Sequence, residues 1–217
     1  MLLDLFLLSD RPAPTPLQGE YDLTLVALSV FVAVLAGVMA LQLAGMARGG
    51  KRPLTRQISL FSGAFVLGSG IWSMHFIGML AYSVCSAARY EPLITLLSAL
   101  PSFLASWIAL VLLAQKQVSA WQLIVSGISV GAGIGVMHYS GMAAVHTSLV
   151  LRFEPVMFGV SIAVAVVLSI LALWLRFGLL INKRIGQHEI NLLSGAVLGL
   201  AISGIHYTGM EAVRFLP

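Results

Sequence analysis

Three segments of this 217-residue chain repeat one arrangement of side chains able to ligate a metal. Residues 72–82 read WSMHFIGMLAY, residues 135–145 GVMHYSGMAAV and residues 203–213 SGIHYTGMEAV. The common order is histidine, aromatic, any residue, glycine, methionine. It runs His75-Phe76-Ile77-Gly78-Met79, His138-Tyr139-Ser140-Gly141-Met142 and His206-Tyr207-Thr208-Gly209-Met210. Residues four apart share a helix face, so each histidine and its methionine point the same way. Neutral imidazole nitrogen beside thioether sulfur is a soft donor set that suits copper, above all its reduced form, and suits calcium or magnesium badly. One isolated histidine in a membrane span is ordinarily satisfied by a carbonyl or by a tyrosine such as Tyr139 or Tyr207. Repetition favours a metal or cofactor role for His75, Met79, His138, Met142, His206 and Met210, with structural packing as the alternative.

Neighbouring candidates carry less. Met74 and Met137 precede the histidine in two copies, but Ile205 stands there in the third, and adjacent helical residues point about 100° apart. They are assigned to core packing. Cys85 is the only cysteine, so it closes no internal disulfide and is at most a passing soft ligand in an outer loop. His146 and His188 are expected at solvated surfaces. Every acid lies at or beyond the end of an apolar stretch, and there is neither a Ser-His-Asp spacing nor a phosphate-cradling loop, so no enzyme and no proton pump is expected.

The elements that position these residues are membrane helices. The chain is 59% hydrophobic and 9% charged, whereas a soluble domain carries roughly a quarter charged residues. Six apolar stretches, near 22–47, 57–83, 92–114, 120–146, 155–181 and 190–213, are each long enough for a hydrocarbon core of about 30 Å. Counting back three, seven and eleven residues from each histidine gives Trp72, Gly68 and Ala64, then Gly135, Gly131 and Gly127, then Ser203, Gly199 and Gly195. Small residues at this spacing let helices approach closely in lipid. The histidine face is therefore expected to pack tightly, less so in the first copy, where Trp72 intrudes. Arg89-Tyr90-Glu91-Pro92 opens the third stretch and Arg152-Phe153-Glu154-Pro155 the fifth, with Glu20-Tyr21-Asp22 before the first. The expected fold is thus all-α: an integral membrane bundle of six transmembrane helices, in three parallel helical-hairpin repeats (about 21–83, 90–147 and 153–213) with a pseudo-threefold arrangement. Residues 1–20 are expected to form an interfacial segment and a Pro-rich spacer ahead of a domain spanning 21–217.

Orientation follows the basic residues. One side carries Arg48, Lys51, Arg52, Arg56, Lys116, Arg176, Lys183 and Arg184 with Glu189 as its sole acid, a formal +7. The other carries Arg11, Arg89, Arg152 and Arg214 against seven acids, a formal −3. The N-terminus, the loops at 83–91 and 148–154 and the C-terminus are expected outside, with the three histidine–methionine pairs near that face. The basic pI of about 9.6 then reports topology, not a nucleic-acid partner. The closing Arg214-Phe215-Leu216-Pro217 is similar to the openings at 89 and 152, so a seventh helix would start there, with this chain a trimmed sensor region or a shortened natural form.

The Met-His-Tyr-Ser of 137–140 and the His-Tyr-Thr of 206–208, each followed by Gly-Met, resemble the bacterial MHYT domain. The resemblance runs from Tyr21 to Arg214, with the three histidines 63 and 68 residues apart. It departs at Phe76, in place of the first tyrosine, and at Ile205, in place of the third methionine. The resemblance implies a multi-pass sensor module of the bacterial inner membrane that binds copper through the six residues above. Through that metal it would sense oxygen, carbon monoxide, nitric oxide or redox state. It also implies cytoplasmic diguanylate cyclase or phosphodiesterase output domains as partners. On this reading one or two copper ions sit near the periplasmic face with a coordination position open to a small gas, and the small-residue seam turns a change there into a helix shift of about 1–2 Å. Haem held by two of the histidines, a small-solute or metal channel or transporter, and a purely structural module are the alternatives.

Overall fold

An acid opens each repeat and caps its first helix. The Asp22 carboxylate accepts from the N–H groups of Thr24 and Leu25, that of Glu91 from Leu93 and Ile94, and that of Glu154 from Val156 and Met157. Each satisfies donors that a helix start leaves unpaired, at the positive end of the helix dipole. The computed structural model describes residues 6, 15–17, 19–84, 88–115, 117–181 and 186–217. Cys85, Lys116, Lys183, Arg184 and most of the N-terminal segment, Asp4, Asp10 and Arg11 included, lie outside the described residues.

The chain runs β1 (Glu20–Tyr21), α1 (Leu23–Gly49), α2 (Pro53–Ala81), β2 (Tyr82–Ser83), β3 (Arg89–Tyr90), α3 (Pro92–Leu97), α4 (Ala99–Leu113), α5 (Ala120–Ala143), β4 (Val145–His146), β5 (Val150–Phe153), α6 (Pro155–Ile181), α7 (Gln187–Met210) and β6 (Val213–Leu216). Counting α3 and α4 as one span, six helices are long and apolar enough to cross a membrane, as the sequence predicts. That span breaks at Ser98 because Pro101, three residues on, offers no N–H to the carbonyl of Leu97. Outward-facing Phe31, Phe61, Leu104 and Trp174 are exposed, an apolar perimeter that lipid solvates. The protein is an all-α multi-pass membrane protein.

A short antiparallel ladder closes each hairpin at its open end. β1 pairs β2 with Tyr21 opposite Tyr82, β3 pairs β4 with Tyr90 opposite Val145, and β5 pairs β6 with Phe153 opposite Val213. The cap residue adds one more bond each time: the N–H groups of Asp22, Glu91 and Glu154 donate to the carbonyls of Ala81, Ala144 and Ala212, all at 2.8 Å. Residues 213–216 form β6 against β5, a strand like those at 89–90 and 150–153 that they resemble in sequence. Of the N-terminal segment, Phe6 packs edge-on to Phe158 and the Leu17 N–H donates to the Phe215 carbonyl, so both join the third ladder.

The small-residue stripes hold one repeat to the next. A Cβ added at Gly131 of α5 would lie 2.7 Å from Val166 Cα of α6; at Gly199 and Gly195 of α7 it would lie 2.5 and 2.6 Å from Val34 and Val38 Cα of α1. These helices meet backbone to backbone. At Gly68 of α2 the distance to Phe103 Cα of α4 is 3.0 Å. Beside it the Trp72 indole N–H donates to the Thr95 carbonyl and to Ser98 Oγ at the helix break.

A matching polar contact recurs one turn further out. Ser29, Ser98 and Ser161 each stand seven residues after the capping acid, and each hydroxyl donates to the carbonyl three residues back. Their oxygens then accept from the preceding repeat: Tyr207 O–H reaches Ser29 at 2.8 Å, and Tyr139 O–H reaches Ser161 at 2.5 Å. Phe76 has no hydroxyl, and Trp72 supplies the donor to Ser98 in its place. Every interface therefore has the same hand, second helix of one repeat on first helix of the next, and the third repeat returns to the first. Gly131→Val is expected to lower stability by about 3 kcal/mol through overpacking, whereas Gly159→Val, where nothing lies within 4 Å of an added Cβ, leaves it nearly unchanged. Thermal unfolding in detergent, followed by helical circular dichroism, checks both.

Candidate metal centre

The same cyclic order brings the three histidines together. α2, α5 and α7 pack on one another around the axis, and near their C-terminal ends they carry His75, His138 and His206, none more than 2% exposed. The Nδ1 atom of His75 lies 3.1 Å from Nδ1 of His206 and 3.2 Å from Nδ1 of His138. One ligand nitrogen from each ring lies within 4.8 Å of the others. The rings stand nearly perpendicular in pairs, at 83°, 87° and 76°, so the cluster resembles a three-bladed propeller.

Glycine makes this approach possible. A Cβ at Gly141 would lie 2.4 Å from Nε2 of His75, at Gly209 2.5 Å from Nε2 of His138, and at Gly78 2.3 Å from Nε2 of His206. No Cβ tolerates such contacts, so the glycine of each motif is the seat for the imidazole of the preceding repeat. The seat also fixes what each ring can do. The three Nε2 atoms are buried against backbone and have no hydrogen-bond partner. With a proton on each Nε2, Nδ1 is the free donor atom of each ring, and those of His138 and His206 both lie beside that of His75.

That arrangement fits a small cation. Nitrogen donors about 2.0–2.1 Å from an ion at tetrahedral or trigonal angles stand about 3.3–3.6 Å apart, close to the separations from His75 Nδ1. A haem is not accommodated: the ring centroids lie 5.0, 5.1 and 5.3 Å apart and the rings touch edge to face, leaving no slot for a macrocycle between two of them.

Two apolar layers enclose the cluster. Met79, Met142 and Met210, one turn outward, are buried together with Phe153, Val213 and Phe215 beneath the ladders. Met74, Met137 and Ile205 belong to the larger inner cluster, as expected of packing residues. Between the ladders a cavity of about 130 Å³, lined by Tyr82, Tyr90, Val145, Thr147 and Phe215, reaches Met79. Inward of the imidazoles, Ile71, Ile134 and Ile202, then Leu67, Val130 and Leu198, line a cavity of about 20 Å³ whose only polar side chains are Ser106 and Ser169. The helix axis thus presents no continuous polar path among the described residues. His146 and His188 are exposed and lie outside the cluster, as predicted, and Cys85 is outside the described residues.

Sequence reasoning put the six ligand candidates at one depth but missed two sets of positioning residues. The glycine seats were visible as a fixed offset from each histidine, and the serines as a fixed offset from each capping acid. What they touch was not visible, because each contacts another repeat.

Comparison with known proteins agrees with the repeat. The family model MHYT, described as a bacterial signalling protein N-terminal repeat, matches residues 13–56, 68–126 and 131–187. The chain is 42% identical over 205 residues to the bifunctional diguanylate cyclase/cyclic di-GMP phosphodiesterase MucR of Pseudomonas aeruginosa, covering 92% of this chain and 29% of that protein. It is 35% identical over 199 residues to the signaling protein YkoW of Bacillus subtilis, covering 90% and 24% respectively. It is 34% identical over 198 residues to the cyclic di-GMP phosphodiesterase NbdA of Pseudomonas aeruginosa, covering 89% and 24%. The chain therefore spans less than a third of the length of these relatives. No solved structure matches it. A threefold histidine–glycine motif, a six-span bundle and this match over most of the chain make it a member of the MHYT family of bacterial signalling proteins.

Proposed function

We propose that the three imidazoles hold copper, and that the module is a membrane sensor whose stimulus is a diatomic gas or a change of redox state at that metal. The observation that supports this most directly is the convergence of three Nδ1 atoms, with each Nε2 buried against a glycine of the next repeat. Copper in its reduced form accepts three soft or borderline donors, and when bound it would supply a one-electron couple and an open position for a gas. The three methionines one turn outward are proposed as further ligands or as a soft path from the outer cavity to the imidazoles. The apolar layers on both sides keep water from competing for the site.

The chain's own residues carry the rest of the reading. A shift of any imidazole pushes on the glycine backbone that seats it, which belongs to a different repeat. That displacement passes along interfaces already in backbone contact, so the helices respond as a set. The proposed readout is the cytoplasmic turnover of cyclic di-GMP that the names of two of the relatives record. The proposed location is the bacterial inner membrane, N-terminus outside, with the histidines near the periplasmic face, by the asymmetry of basic residues.

Elemental analysis of detergent-purified protein is expected to find copper, and the His75→Ala, His138→Ala, His206→Ala triple variant is expected to lose it; undiminished copper in that variant ends the idea. Gly141→Ala leaves all six proposed ligands in place yet is expected to weaken copper binding about 10–100-fold by displacing His75 from its seat; a competition titration with a chromogenic copper(I) chelator measures it. Cys85, the only thiol, is expected to react with a membrane-impermeant maleimide in osmotically opened outer membranes with the inner membrane intact. Labelling only after inner-membrane lysis would reverse the orientation.

A further inference from the structure

The end of the bundle opposite the histidines holds two cations with no counter-charge among the described residues. Arg176 lies on α6, 2% exposed, and its Nε and Nη1 have no hydrogen-bond partner. The sequence pattern assigns it to a flanking position, but it is within the helix and enclosed by its neighbours. Arg48 is half-buried near the end of α1, and Arg176 stands one turn beyond Leu173, which lines the same apolar cavity as Leu113. One Arg48 arm donates to the carbonyl of Leu113, at the end of α4, which is an orphan acceptor at the negative end of that helix dipole. Its Nε is buried and unpartnered.

No acid among the described residues neutralises these two arginines. The chain has eight acids. Glu20, Asp22, Glu91, Glu154 and Glu211 belong to the ladder end, and Glu189, at the arginine end, accepts from the Gly186 N–H and is exposed. Asp4 and Asp10 lie outside the described residues, in the segment that leads to the ladder end. Buried Arg176 and half-buried Arg48, both with unpartnered N–H groups, destabilise this end of the bundle unless an anion meets them.

Position and chemistry select the anion. Arg176 is 21 residues beyond Pro155, about 32 Å along the helix at about 1.5 Å per residue. A hydrocarbon core is about 30 Å thick, so the pair lies at headgroup depth on the far side. Planar guanidinium forks match the oxygens of a phosphate, and two of them balance more charge than one carboxylate carries.

We propose that Arg48 and Arg176 form a binding site for a phosphate-class oxyanion, entered from the exposed side of Arg48 and supplied by an anionic lipid headgroup or by free phosphate. Occupancy of the site ties α1 and α6 together and, through the Leu113 carbonyl, fixes the end of α4. This site stands independently of the metal reading.

The test follows the unfolding midpoint of the detergent-purified protein by tryptophan fluorescence against dihexanoyl phosphatidylglycerol, inorganic phosphate, and sodium chloride at matched ionic strength. At about 100-fold excess over Kd the wild-type midpoint is expected to rise by about 5–10 °C. A rise with the lipid alone assigns a headgroup site, and a rise with both assigns a free-oxyanion site. Arg48→Gln and Arg176→Gln are expected to abolish the rise, while Arg56→Gln, exposed at the same end, keeps it. If Arg176→Gln does not fold, the half-buried Arg48→Gln and the wild-type titrations decide. No rise beyond matched chloride, or an undiminished rise in Arg48→Gln, overturns the proposal.

Discussion

Three imidazoles, each from a different repeat, meet nitrogen to nitrogen at the axis while their outer edges rest on glycines of the neighbouring repeat. Everything else in the bundle is arranged so that this can happen. Bringing two imidazoles within hydrogen-bond distance of a third in a dry interior is costly unless each ring has one possible position. The seats give it that position: His75 on Gly141, His138 on Gly209 and His206 on Gly78, a closed cycle in which no repeat completes its own part. A single hairpin therefore has a histidine but no site.

The rest of the architecture keeps that cycle in register. The ladders and the capping acids close each hairpin at the histidine end, so α2, α5 and α7 arrive with their motifs at equal height. The small-residue stripes and the serine contacts then fix how one hairpin rotates against the next. Lipid supplies little hydrophobic drive for this association, so close packing and a few buried hydrogen bonds must do it. The first interface solves the problem differently. It lacks the tyrosine hydroxyl, uses Trp72 as donor, and packs against a helix that Pro101 and Ser98 interrupt. The threefold is thus broken at one interface only, where α2 meets the interrupted span.

The two ends of the bundle differ in kind. At one end three imidazoles cluster beneath methionine and aromatic side chains. At the other, Arg48 and Arg176 carry buried N–H groups without a hydrogen-bond partner. Between them the described side chains along the axis are apolar apart from Ser106 and Ser169, which favours mechanical over ionic communication. The packed interfaces are suited to that, because helices in backbone contact cannot move one at a time.

The sequence by itself determined the membrane class, the six spans, the three hairpin repeats and the depth of the histidines. Hydrophobic length, helical periodicity and repetition are local properties that need no folded neighbour to be visible. The capping acids and the prolines at helix starts belong to the same kind of information, and so did the break at Pro101, which went unpredicted. What only the tertiary structure decided is which groups touch across repeats. Gly141 is an unremarkable small residue until His75 is placed on it, Ser161 a helix serine until Tyr139 reaches it, and Arg176 a flanking cation until packing encloses it. Those contacts join residues 66, 22 and more positions apart, or none at all in the case of a missing counter-ion, and no spacing along one chain encodes the rotation of one hairpin against another.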